Sequence, residues 1–163
     1  MEWDVKGFLD RAKAISEIVR SAGSVLVMSH IDADGISSAA VAKQALDRCG
    51  IPNSVQFVRS LGDHELQMVR EASHDLVWIC DLGATFGHGL DGGRCVITDH
   101  HRMFEGGQMR LDQFGGSEHI LNPMLFGMDG GLHLSGAGNT YFVARELDGA
   151  NKDLSTLAIV GAV

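Results

Sequence analysis

The chain has 163 residues, with 21 Asp and Glu against 13 Lys and Arg, and a formal net charge of −8. This length suffices for one domain with a substantial core, or for one domain and part of another. The acidic balance argues against a surface that grips nucleic acid mainly through charge, although bound divalent cations would reverse the local field. No apolar run approaches the ~18 residues of a membrane span, so we expect a soluble, cytoplasmic protein with no membrane partner.

The cysteine and histidine content indicates which donors a functional site would use. Eight histidines stand against three cysteines, and no Cys-x-x-Cys pair is present. Cys80 and Cys95 lie inside apolar runs, which favours buried free thiols in a reducing compartment over a disulfide or a zinc site. A site built from imidazoles and carboxylates is therefore favoured over one built from thiolates.

Helical and strand-like patterns alternate from the start of the chain. Apolar residues at helical spacing predict a first helix over 5–22, with Asp4 as its N-cap and Gly23 at its end. The apolar run 25–29 predicts a strand, and an alanine-rich helix follows over 36–48. The segment between them is therefore a strand-to-helix turn with free backbone N–H groups.

The remaining elements predict an α/β fold with a mostly parallel sheet of about five strands and helices on both faces. Glycines over 83–93 leave room only for a short or irregular helix, and the polar segment 102–118 predicts a long loop. Further strands are predicted at 55–58, 76–80, 95–98 and 119–121, and further helices at 63–73 and about 137–148. Residues 157–163 are almost wholly apolar, so we expect an N-terminal piece of a longer protein.

Three of the predicted strands end in acids or histidines. The first leads to His30, Asp32 and Asp34, the strand at 76–80 leads to Asp81, and the strand at 95–98 leads to the run Asp99, His100 and His101. Ligands collect outside the carboxyl ends of parallel strands, so these clusters should meet at one edge of the sheet. One such cluster alone is more often turn or capping chemistry, but three together favour a metal site.

The donor set favours two divalent cations. Three carboxylates (Asp32, Asp34, Asp81) and two imidazoles (His30, His100) exceed what a single ion with open positions requires. Two ions about 3.5–4 Å apart, bridged by one carboxylate and a hydroxide, are the natural arrangement for phosphoryl chemistry. Mixed nitrogen and oxygen donors fit Mn²⁺ best, with Mg²⁺ as the main competitor. The sequence indicates no protein nucleophile.

These residues carry a family resemblance over essentially the whole chain. The pattern His30-x-Asp32-x-Asp34-Gly35, the isolated Asp81 and the run Asp99-His100-His101 resemble motifs I, II and III of the DHH phosphoesterase superfamily. The pair Asn122-Pro123 and the run Ser135-Gly136-Ala137-Gly138 are similar to the RecJ-like branch of single-strand-specific exonucleases.

The resemblance implies a role for each matched residue. One Mn²⁺ would be held by His30, Asp32 and Asp81, and a second by Asp34, the shared Asp81 and His100. Asp99 would orient the metal-ligand imidazole, and His101 would contact the scissile phosphate. Residues 1–163 would be the N-terminal DHH domain, ending before the family's fourth motif, which carries the remaining metal ligand, and before its C-terminal substrate-binding domain.

Further candidate substrate contacts leave two interpretations open. The amides of Gly136 and Gly138 could cradle a phosphate, or these small residues could permit close helix packing. Arg102 could meet a phosphate or lie solvated in its loop. The histidines outside the strand-end clusters are expected on surfaces or in loops: His64, His74, His88, His119 and His133.

The predicted function is a manganese-dependent phosphodiesterase, most simply a RecJ-like exonuclease that releases 5′-mononucleotides from single-stranded DNA or RNA. Such a role implies replication or repair proteins as possible partners. A small-substrate alternative would cleave nanoRNA, a cyclic dinucleotide or pyrophosphate, and the acidic charge favours it. A second alternative is a non-catalytic, Cdc45-like scaffold, although that branch has lost ligands that are all present here.

Overall fold

A central parallel sheet organises the molecule, whose computed structural model describes residues 2–85, 94–105, 108–109 and 118–163. The strands in chain order are β1 (Val25–His30), β2 (Asn53–Val58), β3 (Leu76–Cys80), β4 (Cys95–Thr98), β5 (Phe104–Glu105), β6 (Gln108–Met109) and β7 (Ile120–Leu121). Five of them form an all-parallel sheet in the order β2-β1-β3-β4-β7, and β5 pairs with β6 antiparallel.

Five helices are found in the described residues. They are α1 (Val5–Ser21), α2 (Ala33–Arg48), α3 (Asp63–Glu71), α4 (Gly136–Leu147) and α5 (Ser155–Gly161), and two 3₁₀ turns cover Pro123–Phe126 and Gly149–Leu154. Among these described helices, none is both long enough and apolar enough to cross a bilayer.

The two faces of the sheet bury different sets of side chains, because successive strand residues point to opposite faces. Val27 and Trp78 belong to the larger cluster, which also contains residues of α1, α2 and α4. Met28 and Ile79 belong to a second cluster with Val69 of α3. The predicted parallel sheet of about five strands with helices on both faces is confirmed.

Some predicted boundaries differ from the structure for local reasons. The first helix begins as predicted, because the Asp4 carboxylate accepts a hydrogen bond from Gly7 N at 2.8 Å. Helix α2 begins three residues earlier than predicted, since Asp32 is its N-cap and accepts from Gly35 N at 2.9 Å. The predicted loop 102–118 contains the β5–β6 pair. Residues 86–93, 106–107 and 110–117, with His88 and most of the predicted irregular helix, lie outside the described residues.

Candidate metal centre

The carboxyl ends of three adjacent strands bring the predicted site residues together. Strands β1, β3 and β4 are neighbours in the sheet, so the residues that follow them meet at one edge. His30 is the last residue of β1, and Asp32 and Asp34 lie at the N-terminus of α2. Asp81 directly follows β3.

Asp81 lies at the centre of this cluster. It is 1% exposed, and among the described residues it alone combines a side chain with a positive φ, of 57°. Its Oδ2 lies 3.8 Å from His30 Nδ1 and its Oδ1 lies 3.3 Å from His100 Nε2, yet neither oxygen has a described partner in hydrogen-bond geometry. Burial raises the pKa of Asp81 to about 6, against the opposing effect of His100. A buried carboxylate without hydrogen bonds fits a cation ligand.

A backbone carbonyl sets the protonation of His30. Its Nε2 lies 3.1 Å from the carbonyl oxygen of Arg59, and because a carbonyl only accepts, Nε2 donates this hydrogen bond. The other ring nitrogen, Nδ1, faces Asp32 Oδ2, 2.7 Å away, and Asp81. Two lone-pair-bearing atoms at that distance require a proton or a cation between them.

His100 is held in the same way by a different carbonyl. Its Nδ1 donates to the carbonyl of Gly130 at 2.7 Å, and its Nε2 faces Asp34 Oδ2 at 3.4 Å and Asp81 Oδ1 at 3.3 Å. Burial alone would lower the pKa of His100, but Asp81 and the Gly130 carbonyl together raise it to about 9. A cation that binds His100 Nε2 would therefore compete with a proton for this nitrogen.

Two groups of donors meet the geometry of cation binding, and both contain Asp81. The donor atoms of His30, Asp32 and Asp81 lie within 4.8 Å of one another, and so do those of Asp81, His100 and His101. The first group is the predicted set for one ion. The second includes His101, whereas the predicted set had Asp34 in its place.

Asp34 makes a contact that its sequence position did not indicate. Its Oδ2 accepts from Gly136 N and its Oδ1 accepts from Ala137 N, both at 2.7 Å. A carboxylate oxygen has a second lone pair, so these bonds orient Asp34 and leave it able to bind a cation beside His100.

The buried Asp99 carboxylate makes hydrogen bonds to the His100–His101 segment and to Ala84. Its Oδ1 accepts from His101 Nδ1 at 2.8 Å and from His100 N at 2.7 Å, and its Oδ2 accepts from Ala84 N at 2.7 Å. The imidazole that the Asp99 carboxylate orients is that of His101, which belongs to the second donor group. These bonds hold the pKa of Asp99 below its usual range despite its burial. Asp99 in turn raises the pKa of His101.

Amides at the N-terminus of α4 have partners within the chain, and the substrate contact of Gly136 and Gly138 stays a prediction. Gly136 N donates to Asp34, and Gly138 N donates to Ser135 Oγ at 3.1 Å. The close-packing interpretation is supported, since a Cβ on Gly136 would lie 2.5 Å from Asp81 Oδ1. Arg102 is exposed and is absent from the described residues that line the cleft.

A cleft of about 640 Å³ opens over the cluster, with Asp32, Asp34, Asp81, His100 and His101 on one side. The cleft is also lined by residues of α4 and α5 and by the segment 130–135; of these, Gly138 is the candidate substrate contact that the sequence predicted. His133 belongs to that segment and lies in an exposed turn, as the sequence predicted, while also lining the cleft. A smaller hollow of about 300 Å³ lies beside His30, Arg59 and His101.

The histidines His64, His74 and His119 and the three cysteines do not belong to the two donor groups. His64 is exposed, His74 Nε2 lies 3.0 Å from Ser54 Oγ, and His119 Nδ1 lies 3.2 Å from the carbonyl of Cys95. All three cysteines are free, and Cys80 and Cys95 are buried as predicted. Asn122, also singled out by the sequence, is fully buried and donates to the carbonyl of His101 at 2.9 Å.

Solved structures with this fold include RecJ proteins. A manganese-bound exonuclease RecJ superposes with a TM-score of 0.69 at 19% identity, over 99% of this chain and 43% of that one. RecJ with Mn²⁺ from Thermus thermophilus also gives 0.69, at 20% identity, over 100% of this chain and 24% of that one. A DHH domain from a protein described as a member of a ribosomal protein family gives 0.62 at 17% identity, over 96% and 42% of the two chains.

Sequence comparisons identify the family. An uncharacterized protein of Methanocaldococcus jannaschii is 31% identical over 161 residues, which cover 93% of this chain and 35% of that protein. The chain thus spans about a third of this relative's length. The family model for the DHH family N-terminal domain matches residues 24–161, a range that contains every strand end of the candidate metal centre. The chain therefore belongs to the DHH family.

Proposed function

We propose that this protein is a metal-dependent phosphodiesterase that hydrolyses single-stranded nucleic acid, with Mn²⁺ as its preferred cation and Mg²⁺ as the competitor. The observation that carries the proposal is the buried Asp81 carboxylate, whose unpartnered oxygens lie between the lone pairs of His30 and His100. The RecJ structures of the same fold are described as an exonuclease bound to manganese and as complexes with Mn²⁺ or Mg²⁺, which supports both the reaction class and the cations.

In this proposal Asp81 would contribute to both of two cation positions. His30 and Asp32 would complete one position, and Asp34 and His100 would complete the other. Bound divalent cations supply the Lewis acidity that generates a nucleophile from water near neutral pH and that neutralises charge on the phosphodiester. The buried acids alone would repel a phosphate, so binding of an anionic substrate depends on occupation of these positions.

In this proposal His101 contacts the substrate phosphate, because its Nδ1 already makes a hydrogen bond to Asp99. That nitrogen donates to the buried Asp99, which leaves Nε2 as the ring's remaining donor. The hydrogen bond to Asp99 favours the charged imidazolium, so Nε2–H can donate to a phosphate oxygen as negative charge develops. Asp99 holds the ring in that orientation without entering the cleft.

Two alternatives to a single-strand nuclease are a phosphodiesterase for short substrates and a non-catalytic scaffold. The net charge of −8 favours a short substrate, such as a dinucleotide, over a long polyanion. A scaffold without catalytic activity is the other alternative, although the retention of all five predicted ligands at one site supports an enzyme.

The decisive assay incubates the complete protein and Mn²⁺ with labelled single-stranded DNA, single-stranded RNA, a dinucleotide and pyrophosphate. We expect mononucleotide release from one of the two single strands. Cleavage of only the dinucleotide or of pyrophosphate would replace the proposed substrate class, and no cleavage of any of the four would favour the scaffold.

Replacement of the shared ligand should abolish cation binding while the fold is kept. Asp81→Asn keeps the side-chain shape, and Asn tolerates a positive φ, so thermal unfolding should occur at or above the wild-type temperature. We expect calorimetric Mn²⁺ affinity to fall by at least about 100-fold and hydrolysis to be lost. The exposed Asp63→Asn is the matched control. Mn²⁺-stimulated activity in Asp81→Asn would contradict the shared role.

Replacement of His101 should lower the rate of hydrolysis without changing the affinity for cations. His101→Gln should bind Mn²⁺ as the wild type does but lose about 100-fold in kcat, because it removes one donor to the developing charge. The exposed His64→Gln serves as the control. A fall in Mn²⁺ affinity as large as the fall in rate would assign His101 to the metal instead.

The affinity for Mn²⁺ should rise with pH across the neutral range. The raised pKa of His100, about 9 in the metal-free site, means that a cation must displace its proton below that pH. Between about pH 6 and pH 9 we expect the apparent affinity to increase by up to tenfold per pH unit, with proton release measured in buffers of different ionisation enthalpy. An affinity that is flat over this window would show that His100 does not bind the cation.

A further inference from the structure

A tight turn over residues 129–133 forms part of the cleft wall opposite the acidic cluster. The carbonyl of Asp129 accepts from Leu132 N at 3.2 Å and from His133 N at 2.9 Å, and its Oδ1 accepts from Gly131 N at 2.8 Å. Gly130 lies inside this turn, and its carbonyl accepts from His100 Nδ1. The turn therefore contacts a proposed metal ligand through one backbone oxygen.

The His133 side chain closes this turn. Its Nδ1 lies 2.9 Å from Asp129 N, and because the backbone N–H donates, Nδ1 is the acceptor and the neutral ring carries its proton on Nε2. Residues 129 and 130 therefore have a hydrogen bond at each end of their backbone, one at Asp129 N and one at the Gly130 carbonyl. The His133 ring thus holds one end of this stretch while His100 bonds to the other.

Gly130 approaches His100 too closely for any side chain. A Cβ at Gly130 would overlap the carbonyl oxygen of His100, so small shifts of the turn would change the hydrogen bond to the ring. Glycine is the residue that permits two backbone segments to lie this close together.

The N-terminal segment contacts the His133 ring through Trp3. The Trp3 ring lies against the His133 ring, with centroids 4.6 Å apart and planes tilted by 58°. Asp4 N donates to the carbonyl of Phe126 at 3.0 Å, which holds this segment on the structure. Trp3 precedes the family-matched range 24–161, so a residue outside that range contacts the turn.

We propose that His133, whose ring lies against that of Trp3, is a positioning residue that sets the Gly130 carbonyl and thereby aims Nε2 of His100 at Asp34 and Asp81. The inference rests on the proposed metal site and goes beyond it, since it assigns a function to a turn that binds neither cation nor phosphate. Loss of His133 should weaken the cation position that includes His100. The position formed by His30 and Asp32 depends on the Arg59 carbonyl instead and should be unaffected.

Two variants of His133 separate the hydrogen bond from packing. His133→Asn places an amide oxygen near the position of Nδ1 and keeps an acceptor for Asp129 N. His133→Phe keeps a ring against Trp3 but removes the acceptor. The exposed His64→Phe controls for the general effect of replacing a surface histidine.

The first readout is the His100 Nδ1–H resonance of the metal-free, ¹⁵N-labelled chain, which needs neither metal nor activity. We expect a proton protected from exchange in the wild type, in His133→Asn and in the control, and rapid exchange in His133→Phe. The second readout is Mn²⁺ titration, in which His133→Phe should weaken one of two sites by about 10- to 100-fold and leave the other unchanged.

Protection of that proton in His133→Phe, or equal loss in the Asn and Phe variants at unchanged thermal stability, would overturn the positioning role. Failure of the wild type to bind two cations would instead refute the proposed function. In that case the exchange measurement still decides whether His133 holds the turn.

Discussion

The structure depends on one electrostatic constraint, the burial of the Asp81 carboxylate without hydrogen bonds to its oxygens. Burial of an unpaired carboxylate is costly, and here the backbone also adopts a positive φ to place it. Imidazole nitrogens of His30 and His100 face the same space from either side. A pair of divalent cations would satisfy all of these groups at once, because each donor is already oriented for one.

Backbone carbonyls orient the donors from outside the cluster. The carbonyls of Arg59 and Gly130 each accept the proton of one imidazole, which leaves the other nitrogen of that ring facing Asp81. The α4 N-terminus orients Asp34 in a comparable way through two N–H groups. Hydrogen bonds of this kind fix ligand geometry before a cation arrives and so reduce the free energy spent on ordering the site.

Adjacent histidines have different roles because their Nδ1 atoms have different partners. His100 donates to a neutral carbonyl and turns its Nε2 toward the acids, whereas His101 donates to the buried Asp99 and is favoured as a cation. The sequence expectation linked Asp99 to the metal-ligand ring, but the two histidines follow Asp99 in one turn, and residue spacing alone does not distinguish which ring reaches the carboxylate.

The sequence by itself determined the elements and the residue types of the site, because strand runs and helical periodicity are local and the acids directly follow the strands. From these, a parallel sheet with His30, Asp32, Asp81 and His100 at one edge could be predicted. Only the tertiary structure decided what lies across the cleft from them. The first two α4 amides donate to Asp34, and the turn that contains His133 approaches His100 through packing between segments some thirty residues apart. Such contacts join residues that are distant in sequence, and local hydrophobic periodicity does not determine them.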